Sequence, residues 1–322
     1  MKCDNCGSIN NDHDKVCKKC GYILKVHTYT KTKTKPLKII TIVLISLILV
    51  MAIVTTYIVY FDVSEVEVLE LTQNQQSDIT KNTELTKNIN DTNITRQLYN
   101  ASRNGVPIYK IGDGSAPVTL ICTGVLGDQL VPPVASMKLI NYLNGRKING
   151  TVYIIPFASP KALEENTELT NGINLNRLAD EDGTISNKIV EYARTINATA
   201  VGDCHETQVG KNPGVTTIMC SKIPTPESCT LATDMSNLSL DTTLTYNVAG
   251  VSYDGAIEDE LNLKGIPAVT PLVLVDSHSN VYPQAVSESY DQMLALLIVN
   301  GNLNYDDTYT RLANMDLDGF RL

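Results

Sequence analysis

Tryptophan is absent from this 322-residue sequence, and phenylalanine occurs three times. The core must therefore be aliphatic, with tyrosine as its main aromatic. Positive charge is scarce as well. The net charge is -9, and the only basic cluster is Lys25, Lys31, Lys33, Lys35 and Lys38. That excludes nucleic acid as a partner for the bulk of the chain. From Ile39 to Tyr60 there is no charge of either sign: IITIVLISLILVMAIVTTYIVY. A hydrocarbon layer of roughly 30 Å takes about 20 apolar residues as a helix, so this run is long enough to span it. A helix also satisfies its own backbone there.

Charge around the run sets a direction. The lysines precede it, and Asp62, Glu65, Glu67 and Glu70 follow it. This predicts a single-pass protein of the cell membrane, with lipid as one partner, a cytoplasmic N-terminus and an extracytoplasmic C-terminal part. A cleaved leader fits poorly, because its apolar core is only about 7–15 residues long. The span lacks a Gly-x-x-x-Gly pattern, so nothing in it favours close helix pairing.

Before the span, residues 1–24 hold Cys3-x-x-Cys6-Gly7 and Cys17-x-x-Cys20-Gly21. Two such pairs supply four thiolates to one tetrahedral Zn²⁺. Each following glycine permits a tight turn that aims backbone N–H groups at sulfur. A reducing cytoplasm disfavours two disulfides as the alternative. The head resembles the short zinc ribbons at the N-termini of many prokaryotic membrane proteins. The resemblance implies a structural zinc held by Cys3, Cys6, Cys17 and Cys20; it names no cytoplasmic partner for the ribbon. Residues 25–38 are then a basic juxtamembrane segment and 39–60 the transmembrane helix.

Residues 61–104 are rich in Asn, Thr, Gln and Ser, and no hydrophobic period persists. They read as a polar stalk with a short helix around Val63–Leu71. From 105 to 322 the texture changes. Val118–Thr123, Thr151–Pro156, Ala200–Asp203, Thr216–Cys220 and Ala268–Val275 read as strands. Val134–Leu143, Ser186–Ile196 and Val286–Val299 read as helices. Apolar strands alternating with helices predict an α/β fold: a three-layer sandwich around a mixed, centrally parallel sheet. Cys220 and Cys229 bracket a loop where a disulfide is expected. Cys122 reads as a small apolar filler.

In such sheets ligands gather beyond the C-terminal ends of the strands. Three stretches lie there: Gly124-Val125-Leu126-Gly127-Asp128-Gln129; the loop 157–171 with Ile173-Asn174-Leu175-Asn176-Arg177; and Gly202-Asp203-Cys204-His205-Glu206. Their order and spacing resemble the succinylglutamate desuccinylase/aspartoacylase group of the zinc-carboxypeptidase superfamily. The resemblance runs from about Ile108 to Leu297 and is strongest over 118–206. It implies a metal-dependent deacylase or carboxypeptidase fold with one catalytic Zn²⁺, held by a His and a Glu of a first motif and by a later His.

On this sequence the first two ligand positions are Leu126 and Gln129, and the later one is His205. Leucine binds no metal, and a glutamine oxygen is a poor zinc ligand. Leu272 falls where the family has the Glu that activates the metal-bound water. Arg177 matches the family arginine that holds a substrate carboxylate, with Asn176 as its polar neighbour. Asp203 is placed to orient His205 from behind. Cys204 and His205 are adjacent in a strand, so they point to opposite faces and make no nucleophile–base pair.

Three functional readings follow. The first is a pseudoenzyme that binds a carboxylate-bearing small molecule or wall-peptide end with little or no hydrolysis. The second is an active metal-dependent amidohydrolase or carboxypeptidase, its metal held by Asp128, His205 and Asp276 or His278. The third is a membrane sensor or scaffold read out by the ribbon. A β-rich C-terminal addition, common in aspartoacylase-like proteins, is not expected in the short tail.

Overall fold

The computed structural model describes residues 1–25, 35–60, 64–70, 77–169, 172–239 and 241–306. Most of the expected basic segment and the tail after 306 lie outside them. The chain divides into two compact units, Met1–Tyr57 and Ile58–Leu322.

The first unit begins with two matching turns. Cys3 N–H donates to Ser8 O at 2.8 Å, and Cys17 N–H donates to Tyr22 O at 2.8 Å. Gly7 and Gly21 follow the two pairs at φ 71° and 72°, a backbone region that glycine enters without a Cβ penalty. The matching bridges are Lys2 to Ile9 and Val16 to Ile23. Helix α1 spans Lys35–Tyr60. Its side chains are described from 39 to 55, and every large apolar one among them, from Ile39 to Val54, is exposed. Among the described residues no helix is long and apolar enough to cross a membrane.

The second unit is a nine-stranded mixed sheet with helices on both faces. Its strands are β1 (Ser64–Glu70), β2 (Gly105–Gly112), β3 (Val118–Cys122), β4 (Thr151–Ile155), β5 (Ala200–Asp203), β6 (His205–Gln208), β7 (Thr217–Ser221), β8 (Thr243–Asn247) and β9 (Ala268–Val275). Spatial order is β1-β2-β4-β3-β5-β9-β7-β8, with β6 paired to β9. The centre, β4-β3-β5-β9, is parallel, and β6 prolongs β5 beyond Cys204 on the same partner. The outer pairs β1-β2, β2-β4 and β7-β9 are antiparallel.

The helices after α1 are α2 (Thr83–Thr86), α3 (Asn93–Ala101), α4 (Val131–Leu143), α5 (Pro160–Glu165), α6 (Ile185–Thr195), α7 (Glu227–Ser236), α8 (Ile257–Leu263) and α9 (Pro283–Val299). Side chains alternate between two cores, as the period of a strand requires. Ile121, Val152, Ile154, Val269 and Val273 pack with α4, α7 and α9. Leu120, Cys122, Tyr153, Ile155 and Val201 pack with α6 and α8. Cys220 and Cys229 form a disulfide that ties β7 to α7.

One expectation is corrected here. The segment read as a stalk belongs to the folded unit. Ser64–Glu70 is not a helix but an edge strand on β2. Its sequence SEVEVLE alternates with period two, and Val is β-branched, which suits a pleated edge. Further on, Ile79, Leu85, Ile94 and Leu98 are buried in the larger core. Four well-spaced apolar residues anchor a segment whose overall polarity hides them.

Candidate functional site

The C-terminal ends of β3, β4, β5 and β9 carry the chemistry. After β3 the chain turns at Gly124 (φ 72°) and passes so close to α5 that a Cβ on Gly127 would lie 2.1 Å from the Ala162 carbonyl carbon. This close approach brings Leu126, Asp128 and Gln129 up to the start of β6.

There Gln129 Oε1 sits 2.8 Å from His205 Nδ1 and also accepts the Glu206 backbone N–H at 3.0 Å. The backbone donor fixes which end of the amide is oxygen, so His205 Nδ1 must carry a proton. On the other side of the ring, Nε2 lies 3.2 Å from Asp203 Oδ2. Both His205 nitrogens lie within hydrogen-bond distance of protein oxygens, and the ring is 5% exposed. Leu126 is buried nearby in sequence, and Leu272 is the register partner of His205 on β9.

These residues do not fit a catalytic zinc. Metal binding needs a free imidazole lone pair, and here both nitrogens are engaged. The amide of Gln129 occupies the imidazole face that a metal would need. Among the described residues, three or more His, Cys, Asp or Glu ligand atoms come within metal-holding distance of one another at Cys3, Cys6, Cys17 and Cys20. Asp128, His205, Asp276 and His278 make no such group there.

The ribbon does fit. Its four sulfurs all lie within 4.8 Å of one another, with Cys3–Cys20 at 3.7 Å and Cys6–Cys17 at 3.6 Å. A tetrahedron with bonds of about 2.3 Å has edges of about 3.8 Å. The backbone turns described above hold this spacing.

A second polar group adjoins Gln129. The Glu206 side chain is fully buried. Its Oε1 accepts the Val131 N–H at 2.7 Å, and its Oε2 lies 2.8 Å from His278 Nδ1. Val131 opens α4, and the next two residues, Pro132 and Pro133, have no N–H, so Glu206 takes the first N–H this helix end offers. Burial pushes the Glu206 carboxyl up, against the pull of His278 and Val131. The bond to Glu206 raises the His278 imidazole above its ordinary value. Burial also pushes Asp128 up; His278 opposes this. Asp128 Oδ1 is buried without a hydrogen-bond partner among the described residues. The loop after β9 closes on this group through Ser279 N–H to Asp128 O at 2.6 Å.

Arg177 ends a 3-10 turn, Leu175–Arg177, capped by Asn174 Oδ1 on the Asn176 N–H at 2.9 Å. Its guanidinium donates to the Asn176 carbonyl and lies 5.2 Å over the Tyr253 ring. A Cβ on Gly255 would lie 2.5 Å from Arg177 O, so only glycine lets the Tyr253 loop come this close. Among the described residues Arg177 is exposed and enters no ion pair. Asn176 Oδ1 is buried and has no partner there.

Two features escaped the sequence. One is the pairing of Gln129 with His205. They lie 76 residues apart in the chain, so no local pattern shows the bond. The other is Glu258, buried on α8 and bonded to Ser221 Oγ at 2.9 Å. Burial, Asp259 and Asp203 hold its carboxyl well above the ordinary range. Glu258 shares the first turn of α8 with Asp259 and Glu260.

No protein-family model matches the sequence, and no match was found among curated proteins. Solved structures do match. A succinylglutamate desuccinylase from Silicibacter sp. TM1040 superposes with TM-score 0.50 at 18% identity, over 62% of this chain and 61% of that one. A succinylglutamate desuccinylase/aspartoacylase from Rhodobacter sphaeroides gives 0.50 at 16%, over 76% and 67%. The product-bound ectoine utilization protein EutE (DoeB) from Ruegeria pomeroyi gives 0.50 at 17%, over 63% and 63%. The chain thus spans about three fifths of the length of the first of these. At such identities the likeness is one of fold: a carboxypeptidase-like deacylase sheet.

Proposed function

We propose that this chain is a membrane-anchored domain that binds a carboxylate-bearing small molecule or peptide end outside the cytoplasm, on a deacylase fold that has lost its zinc chemistry. The observation that carries this reading is Gln129 and Asp203 holding both nitrogens of His205. Arg177 supports it. An exposed guanidinium with no carboxylate partner among the described residues is an anchor for a ligand carboxylate, and stacking on Tyr253 holds its plane. Asn176 stands beside it as a second polar contact. The ribbon cysteines hold a structural zinc.

The anchoring rests on α1. The uncharged run Ile39–Tyr60 of the sequence has the length a span needs, and the side chains of α1 that the structure describes, 39 to 55, belong to it. Water does not tolerate so continuous an apolar surface. The disulfide after α1 agrees with an oxidising outside, and the two free thiols on that side, Cys122 and Cys204, are buried.

Calorimetry on the full chain in detergent tests the ligand, with N-acetyl amino acids and their methyl esters as probes. The free acids should bind and the esters should not. Arg177→Ala should weaken binding about 10- to 100-fold, the range of a charged hydrogen bond. Equal binding by wild type and R177A sinks the proposal.

A further inference from the structure

We propose that the second unit is an acceptor of N-linked oligosaccharide, and that Asn197-Ala198-Thr199 is the site still open once the domain has folded. This goes beyond ligand binding and rests on the proposed position of the second unit outside the cytoplasm.

Asn-x-Ser/Thr, the acceptor triplet for this modification, occurs six times in the chain, at Asn90, Asn93, Asn100, Asn149, Asn197 and Asn237. All six lie after α1, and all six asparagines are exposed. Exposure is not the rule for asparagine in this unit. Asn82, Asn262 and Asn302 belong to no such triplet; they are buried, and their amides hold backbone carbonyls. An exposed asparagine lets a bulky, hydrated sugar chain extend into water without disturbing either core. Two of the six also stand away from the candidate ligand site. Asn149 precedes β4 and Asn197 precedes β5, at the N-terminal ends of parallel strands, whereas Gln129 and His205 lie beyond C-terminal ends. Sugar at either position leaves the ligand site open.

A transferase that reads the triplet needs its hydroxyl as well as its amide, and there the six differ. Thr95, Ser102, Thr151 and Ser239 are buried. Thr92 is half-buried, and its Oγ1 donates to Asn141 Oδ1 at 2.7 Å. Thr199 is exposed; its hydroxyl rests on the Val118 carbonyl at 2.9 Å, but the residue faces water. At five triplets the hydroxyl is therefore buried or held by folding, so transfer there must precede it. Asn197 stands at φ 52° in the turn between α6 and β5. Asparagine suits this left-handed position and so does glycine, but only asparagine is an acceptor. In the step itself Asn197 Nδ2 bonds to the anomeric carbon of an oligosaccharide carried on a lipid phosphate. The bond from that carbon to the phosphate oxygen breaks, the lipid phosphate leaves with the electron pair, and the amide loses one proton.

The test has two arms. In the first, full-length protein from the membranes of its own cells is digested, and its asparagine peptides are read by mass spectrometry. The Asn197 peptide should carry sugar. In the second, unmodified full chain, made in bacteria that lack the transferase and folded in detergent, is given microsomal transferase with its lipid-linked oligosaccharide. Sugar should appear at Asn197 and not at Asn93 or Asn149; chain unfolded in urea and diluted into the same mixture should take it at those two as well. Asn197→Gly, which keeps the turn, should take none when folded. A bare Asn197 peptide, in protein whose second unit is digested by protease added to intact cells, would overturn the proposal and leave the location standing. A second unit spared by that protease would overturn both. A folded chain that takes no sugar at Asn197, or takes it equally at Asn93, would overturn the assignment of Asn197 as the open site.

Discussion

At the scale of single residues, the site is governed by what a side chain does once its neighbour changes. Gln129 cannot serve a metal beside His205, yet it satisfies the nitrogen a metal would have used and a backbone N–H as well. Leaving such groups bare would cost about 1–3 kcal/mol each. The places of Leu126 and Gln129 after β3 and of Leu272 within β9 were legible in the sequence. The hydrogen bonds that follow from them were not, because they join positions 76 residues apart. Asp128 and His278 were seen as strand-end candidates; that His278 pairs with Glu206 needed the register of the loop after β9.

Asp291 on α9 gives a residue-scale prediction. Burial, with repulsion from Glu288, pushes its carboxyl up to about 6. The folded state therefore holds the proton more tightly than the unfolded chain does. The stability this contributes is complete below the ordinary carboxylate value and is lost as pH rises to about 6. Asp291→Asn should match wild type in thermal unfolding at about pH 4 and exceed it at about pH 7. An equal difference at both pH values would contradict this.

At the scale of elements, the central strands were legible because each combines an apolar run with flanking turn residues. Val118–Cys122, Thr151–Ile155, Ala200–Asp203 and Ala268–Val275 fall within a residue of their expected bounds. The edges were less legible. β1 carries Glu65, Glu67 and Glu70, whose charges mask its period of two, so a short helix was the expectation there. β8 is half-buried to exposed along its length and carries little hydrophobic signal. The disulfide joins β7 to α7 across nine residues. A loop of this size contributes about 2–3 kcal/mol by chain entropy. Replacing Cys220 and Cys229 together by alanine should lower the denaturation midpoint by that amount, with the slope nearly unchanged. No change in midpoint would show that β7 and α7 are held by packing alone.

At the scale of the whole molecule, composition divides the chain as its chemistry does. Four clustered thiols and a long uncharged run lie in the first unit; a sheet domain with a cystine and two buried thiols makes up the second. If α1 spans a bilayer with the N-terminus inside, protease added to intact expressing cells should digest the second unit and spare an epitope at residue 1. Digestion of the epitope instead would reverse the topology.

The central claim is that the second unit has a deacylase fold without the deacylase metal, and zinc stoichiometry tests it most directly. Purified full-length protein should carry one zinc per chain, held by Cys3, Cys6, Cys17 and Cys20, and the variant with all four cysteines changed to serine should carry none. A zinc that survives in that variant and disappears when His205→Ala is added would contradict the account, because it would place a metal on the imidazole assigned here to Gln129 and Asp203.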